Sequence, residues 1–143
     1  MIRRASFTTL EWEMLHAARV ARLATVRPDG RPHLVPVTFA CPGADLLVTA
    51  VDHKPKQSTN LQRLHNVEAH PAVSLLVDHY EDDWSALWWL RIDATARVVR
   101  EEPHRTTLTS SLTRKYAEYA ERPPTGPVIA MGIDAVTSWN LDR

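Results

Sequence analysis

The spacing of hydrophobic residues changes along the chain and predicts where helices and strands lie. Residues 8–19 repeat apolar positions at helical spacing, and Thr8 with Glu11 three residues later has the pattern of a capping box. From residue 19 the period becomes two, with β-rich runs at 19–26, 33–40 and 46–51 separated by turn-forming residues. These runs predict a three-stranded antiparallel meander after the first helix.

The second half of the chain returns to strands around two helices. Residues 56–66 predict a short helix that stops before Pro71, and residues 72–80 predict a fourth strand. Strict alternation over residues 88–98 predicts a strand with one apolar and one polar face. A helix over residues 102–120 and a last strand, or a bent pair of strands, complete the chain. About six antiparallel strands with three helices favour a barrel, because closure removes exposed strand edges.

Composition narrows the class of protein. The chain has 143 residues, 44% of them apolar, and equal numbers of basic and acidic residues, 17 of each. We expect a single domain over residues 1–143, with no overall field that would attract nucleic acid or an anionic membrane. The one cysteine, Cys41, excludes an internal disulfide. With no apolar run near the roughly 20 residues of a membrane helix, we expect a cytoplasmic protein.

A candidate anion site follows the third predicted strand. The sequence has four glycines and lacks the glycine-rich phosphate motifs, so a phosphorylated ligand must be held by side chains. Lys54 and Lys56 flank one proline, although the chain has only three lysines. The helix that follows adds further donors: Gln57, Ser58, Arg63 and Asn66. The alternative is a solvated loop whose lysines discourage strand pairing.

The seven histidines do not predict a metal site. None forms a helical pair at i, i+4 with a third ligand nearby. His79, close to the acidic residues 81–83, is the best candidate, but an acidic turn between strands is usually just solvated. We therefore predict no bound metal.

The tryptophans indicate a surface that binds something flat. Residues 81–93 hold three of the five tryptophans in the chain. Trp88 lies on the apolar face of the predicted strand, whereas Trp89 lies on the other face and Trp84 in the loop before it. Large aromatic side chains that the core does not need suggest a second subunit or a planar cofactor. Both interpretations hold together if the cofactor lies between subunits.

Several stretches in this order resemble one family. They are RVARLATVRPDGRPHLVPVTFA, DHKPK, LQRLHNVEAHPAVSLLVDHYEDDWSALWWLRIDATARV and KYAEY. Together, over roughly residues 10–139, they resemble the actinobacterial pyridoxamine 5'-phosphate oxidase-like proteins that use the deazaflavin coenzyme F-420. The first stretch is shared by the whole superfamily, and the lysine-proline-lysine element, RLHN and DDWSALWW are more specific.

The resemblance implies a fold, an assembly and a site. It implies a six-stranded antiparallel split β-barrel with short flanking helices, of the FMN-binding type, and a homodimer with the coenzyme at the subunit interface. The phosphate or polyglutamate of the coenzyme would contact Lys54, Lys56 and Arg63, with Gln57, Ser58 and Asn66 as secondary donors. Thr25 and Pro36, expected to face each other across the first hairpin, would border the ring. Trp84 and Trp88 would close the pocket, from the other subunit.

The implied activity is an oxidoreductase that transfers a hydride between coenzyme F-420 and a small organic substrate. Because the cofactor carries the hydride, the lack of a catalytic dyad or triad in the sequence is expected. The catalytic residues stay unassigned, and the proton could come from solvent, His33, His79 or Tyr116. Two alternatives remain open: an FMN-dependent oxidoreductase of the same fold, and a non-catalytic flavin- or tetrapyrrole-binding protein.

Overall fold

Helices and strands follow each other largely as predicted. The computed structural model describes residues 1–51 and 58–142. Its helices are α1 (Thr9–Ala17), α2 (Ser58–Ala69), α3 (His104–Lys115) and α4 (Ala117–Glu121). Its strands are β1 (Ala21–Val26), β2 (Pro32–Val37), β3 (Ala40–Gly43), β4 (Leu46–Ala50), β5 (Ala72–His79), β6 (Trp88–Val99) and β7 (Val128–Trp139). A 3-10 turn, Trp84–Ala86, lies before β6.

The described strands form one antiparallel sheet. Its order is β2-β1-β5-β6-β7-β4-β3, which gives seven strands where six were expected. The mainly antiparallel sheet with flanking helices is confirmed, but among the described residues the sheet is not closed, and β2 and β3 are its edges. The predicted meander is wrong, because β4 pairs with β3 and β7 and not with β2.

The extra strand comes from the stretch that was expected to be a turn. Residues 33–40 were predicted as one strand, yet β2 ends at Val37 and β3 begins at Ala40. Pro42 and Gly43 lie inside β3, and the turn falls on the two residues after them. An edge strand tolerates proline because the missing N–H would have faced outward.

The core lies on the face that the alternation of β6 predicted. Leu90, Ile92, Ala94 and Ala96 are buried, and Arg91 on the other face is exposed. They pack in one cluster with the inward residues of β1 and β5 and with Leu64 and Val67 of α2. A second cluster fixes α3 over β4 and β7. Burial of these apolar side chains is the main stabilising contribution.

The predicted helix over residues 102–120 breaks at Tyr116. This residue has an extended backbone (φ −117°, ψ 124°) and separates α3 from α4. Its hydroxyl lies 2.9 Å from the Arg19 carbonyl oxygen and 3.2 Å from the Phe39 carbonyl oxygen, and it accepts from the Phe39 N–H. Contacts between residues that are distant in sequence therefore stabilise the extended backbone at Tyr116. The helical spacing of apolar residues does not reveal such contacts.

Glu11 does more than cap α1. The capping box with Thr8 is confirmed, and the carboxylate is also fully buried, where it accepts hydrogen bonds from Arg4 and Ser138. Burial by itself would raise the pKa of Glu11, but these bonds and the one from the Thr8 backbone outweigh it and lower the pKa. Arg4 pairs with Val136 of β7, so Glu11 fixes the N-terminal segment to the sheet.

None of the helices in the described ranges is both long and apolar enough to cross a membrane.

Candidate functional site

The first hairpin places Thr25 opposite His33. Its turn closes through a bond from the Arg27 N–H to the Arg31 carbonyl, with Gly30 at a φ of 92° that suits glycine. The register that this turn sets pairs Thr25 with His33 and Pro36 with Arg22. The expectation that Thr25 and Pro36 face each other is therefore wrong. Thr25 is buried and Pro36 is exposed, and the contact of Pro36 with a cofactor ring stays a prediction.

Buried hydrogen bonds tie α2 to β1. Asn66 Nδ2 donates to Thr25 Oγ1 at 3.0 Å, and Gln62 Nε2 donates to Asn66 Oδ1 at 2.7 Å. Asn66 is 0% exposed and Thr25 is 1% exposed. The amide of Asn66 thus makes bonds inside the protein, which fixes the helix that carries Arg63.

A group of positive charge lies where this helix meets the hairpin. We call Arg27, His33 and Arg63 the cationic cluster. His33 and Arg63 are each 9% exposed, and Arg27 is exposed at the hairpin turn. Burial lowers the pKa of His33, and the charges of Arg27 and Arg63 lower it further. Its imidazole is therefore neutral at pH 7, and both guanidinium groups are close enough to influence it.

The His33 ring has an unused nitrogen. Among the described residues its Nδ1 is buried and has no hydrogen-bond partner. Leaving such an atom without a hydrogen bond costs about 1–3 kcal/mol. A ligand with negatively charged oxygens would remove this cost, because it could bond to Nδ1 and would be attracted by the two guanidinium groups. Sequence reasoning did not find this burial, because histidine is a polar residue type and its depth depends on the elements that pack around β2.

Three of the predicted anion contacts lie outside the described residues. These are Lys54, Lys56 and Gln57, whose roles stay predictions. Ser58 is the first residue of α2, as expected for the start of that helix. The predicted lysines therefore come just before the helix that bears Arg63, within a few residues along the chain.

A second candidate region is a cavity of about 310 Å³ at the other end of β5. We call it the aromatic groove, defined by His79, Tyr80, Trp88, Trp89 and Trp139. Trp89 pairs across the strands with Trp139, and the Arg91 guanidinium lies 5.3 Å from the centre of the Trp89 ring. The His79 and Trp88 rings stack, with centroids 6.4 Å apart and planes at 22°.

Three tryptophans at or near this groove, two of them predicted from the sequence, have different exposures. Trp84 is 71% exposed, and its indole N–H donates to the Tyr80 hydroxyl at 3.4 Å. Trp88 is half-buried, packs against the core and lines the groove. Trp139, which the sequence analysis did not assign to the site, is 42% exposed. Its pairing with Trp89 depends on the β6–β7 register, which the sequence does not show.

The two regions lie far apart within one chain. Ala24 pairs with Ser74 near the start of β5, while Trp88 pairs with His79 at its end. Thr25 is thus level with Val73, and at 3.3 Å per residue the six residues to His79 span roughly 20 Å. A single copy therefore presents cations at one end of the strand and aromatic rings at the other.

The possible proton donors are dispersed. His33 belongs to the cationic cluster, His79 lies in the aromatic groove beside Glu81, and the Tyr116 hydroxyl is bonded within the fold. Burial raises the pKa of Tyr116. In the ranges 1–51 and 58–142, no three His, Cys, Asp or Glu side chains come close enough together to hold a metal ion. No catalytic residue is assigned from this arrangement.

Comparisons with known proteins agree with this architecture. Residues 11–140 match the family described as pyridoxamine 5'-phosphate oxidase. No curated protein sequence matches the chain. A conserved hypothetical protein from Mycobacterium tuberculosis has a similar structure, with a TM-score of 0.74 and 21% identity over 99% of this chain and 91% of that one.

Two further solved structures are similar over most of their length. A putative pyridoxamine 5'-phosphate oxidase from Lactobacillus delbrueckii has a TM-score of 0.65 and 19% identity over 96% of this chain and 99% of that one. HutZ, the heme storage protein from Vibrio cholerae, has a TM-score of 0.68 and 18% identity over 90% and 89%. At these identities the likeness shows the fold alone. With the family match, it confirms the split-barrel class that the resemblance implied.

Proposed function

Because the chain belongs to the pyridoxamine 5'-phosphate oxidase family, we propose that it binds the deazaflavin coenzyme F-420 and transfers a hydride to or from a small organic molecule. The observation that carries the proposal is the cationic cluster. An unpartnered buried imidazole nitrogen beside two guanidinium groups suits the phosphate of such a coenzyme.

Arg27, His33 and Arg63 hold the phosphate in this proposal, and Lys54 and Lys56 extend the positive charge toward the polyglutamate tail. Gln57 and Ser58 add donors at the start of α2. Asn66 contributes indirectly, since its bond to Thr25 fixes the helix that carries Arg63. A coenzyme with several negative charges gains more from this array than one with a single phosphate, which favours F-420 over FMN.

The same proposal includes a homodimer with the coenzyme between the subunits. The cationic cluster and the aromatic groove lie roughly 20 Å apart along β5 in one chain. Pairing of two copies can therefore bring the aromatic groove of one copy next to the cationic cluster of the other. Trp84, Tyr80 and Trp139 are exposed large aromatics, and a second subunit or a flat ring would cover them. Trp84 and Trp88 then close the pocket from the second copy.

The bound coenzyme supplies the hydride donor or acceptor, and the protein supplies binding, orientation and exclusion of water. Titration of the protein with reduced F-420 tests this function. We expect quenching of tryptophan fluorescence, and oxidation of the reduced coenzyme when a panel of electron-poor planar organic molecules is added. Absence of both quenching and affinity would remove the proposal.

Two alternatives keep the fold and change the ligand. FMN is favoured by the family match, since the cationic cluster alone is enough to bind its single phosphate. A protein that is yellow as purified and binds FMN more tightly than F-420 would support this alternative. A non-catalytic ligand carrier is favoured by the similar fold of HutZ, described as a heme storage protein. It predicts tight binding of a flavin or tetrapyrrole without turnover of any acceptor.

A further inference from the structure

His33 differs from the other histidines in its surroundings. It is 9% exposed and its Nδ1 has no partner among the described residues. Each element around it contributes a different group: Arg27 comes from the hairpin turn, Arg63 from α2, and Thr25 faces it from β1. In the described ranges 1–51 and 58–142, the charges that act on the imidazole are positive, and they disfavour its protonation.

An anion bound between Arg27 and Arg63 would reverse this balance. Its negative charge would stabilise an imidazolium at His33, and its oxygens would accept a hydrogen bond from the unused Nδ1. Ligand binding and protonation of one group are then linked, because a ligand that raises a pKa must bind more tightly to the protonated form.

We propose that His33 takes up a proton when an anionic ligand binds at the cationic cluster, so that affinity for the ligand rises as the pH falls. This inference rests on the proposed function in taking the cluster as the phosphate site of the coenzyme. It adds that His33 is a ligand-binding residue whose charge state changes when the site is occupied. Among the described histidines, this role belongs to His33 because only its ring nitrogen is both buried and unpartnered.

The test uses sulfate, which stays a dianion across the pH range and so does not itself titrate. Ring signals of the histidines are followed by NMR from pH 5 to 8.5, with and without sulfate at matched ionic strength, and His33→Gln identifies the signal of His33. We expect the pKa of His33 to rise by at least one unit in sulfate. Sulfate affinity should then fall about tenfold as the pH rises from below the pKa of His33 in the free protein to above its pKa in the complex, the change that a one-unit shift requires.

His65→Gln is the matched control, since His65 is an exposed histidine of α2, the helix that carries Arg63. This variant should keep the pH dependence of sulfate binding, and His33→Gln should lose it. A His33 signal that sulfate leaves unchanged, or an equal pH dependence in His33→Gln and the wild type, would overturn the inference.

Repeating the titration with F-420 separates this inference from the proposed function. If sulfate raises the pKa of His33 but F-420 does not bind, the role of His33 stands and the proposed coenzyme function is refuted. If F-420 binds but the pKa of His33 does not change, the proposed coenzyme function stands and the proposed proton uptake is refuted.

Discussion

Breaking the bond between Asn66 and Thr25 should loosen the helix that carries Arg63. Asn66→Leu leaves the Thr25 hydroxyl without its donor in a site that is 1% exposed, and Thr25→Val leaves an Asn66 N–H unpaired in a site that is 0% exposed. Each single change should cost about 1–3 kcal/mol, because the buried Thr25 hydroxyl or the buried Asn66 amide loses its partner. Asn66→Leu also removes the acceptor of Gln62 Nε2, a half-buried side chain. The double variant removes both groups, so its cost should be well below the sum of the two.

Urea unfolding followed by tryptophan fluorescence measures these differences. A loss of 2 kcal/mol moves the midpoint by about 1 M at a slope of about 2 kcal/mol per molar. We expect a coupling free energy of about 1–2 kcal/mol between the two sites, whereas additive costs would refute a structural tie. Affinity for F-420 adds a second test: if Asn66 donates to the ligand, Asn66→Leu weakens binding much more than Thr25→Val does.

Three further predictions follow from the charges and burial of single groups. Burial raises the pKa of the Cys41 thiol to about 12, so it should resist alkylation at pH 8 in the native protein and react after denaturation; equal rates would contradict this. Glu11 has a lowered pKa in the folded state. Its contribution to the free energy of unfolding is therefore present above its unfolded pKa of about 4.3 and is lost as the pH falls through the folded pKa. Glu11→Gln should reduce stability at pH 7 and flatten this acid dependence, as urea unfolding at several pH values will show. Replacing Lys54 and Lys56 together by alanine should weaken F-420 binding roughly 10- to 100-fold, the loss of one or two hydrogen bonds to a charged group, while the urea midpoint stays within the error of the wild type.

Much of the fold could be predicted because its signals are local. The alternation over β6 identified the buried face, and the Thr8–Glu11 pattern identified the start of α1. Residues 41–45, with Pro42 among them, were interpreted as a turn between strands, since the sequence does not show that β3 is an edge where a proline is tolerated. The break at Tyr116 also depends on tertiary contacts, and helical spacing alone could not reveal it.

The candidate site was less predictable, because its geometry depends on register and burial. Arg63 and Asn66 were singled out by their spacing, and both lie on the buried side of α2. The pairing of Thr25 with His33 follows from the Arg27–Arg31 turn, and a different turn length would have moved every partner. The burial of His33 likewise depends on the packing around β2, which the local pattern does not show.

The crystal structure of the protein with bound F-420 tests the central claim most directly. The account predicts the phosphate of the coenzyme within hydrogen-bond distance of Arg63 or His33 in one chain, with the deazaflavin ring covered by tryptophans of a second copy. A coenzyme bound away from the cationic cluster, or a chain that crystallises with F-420 and leaves this cluster in contact with solvent alone, would contradict it.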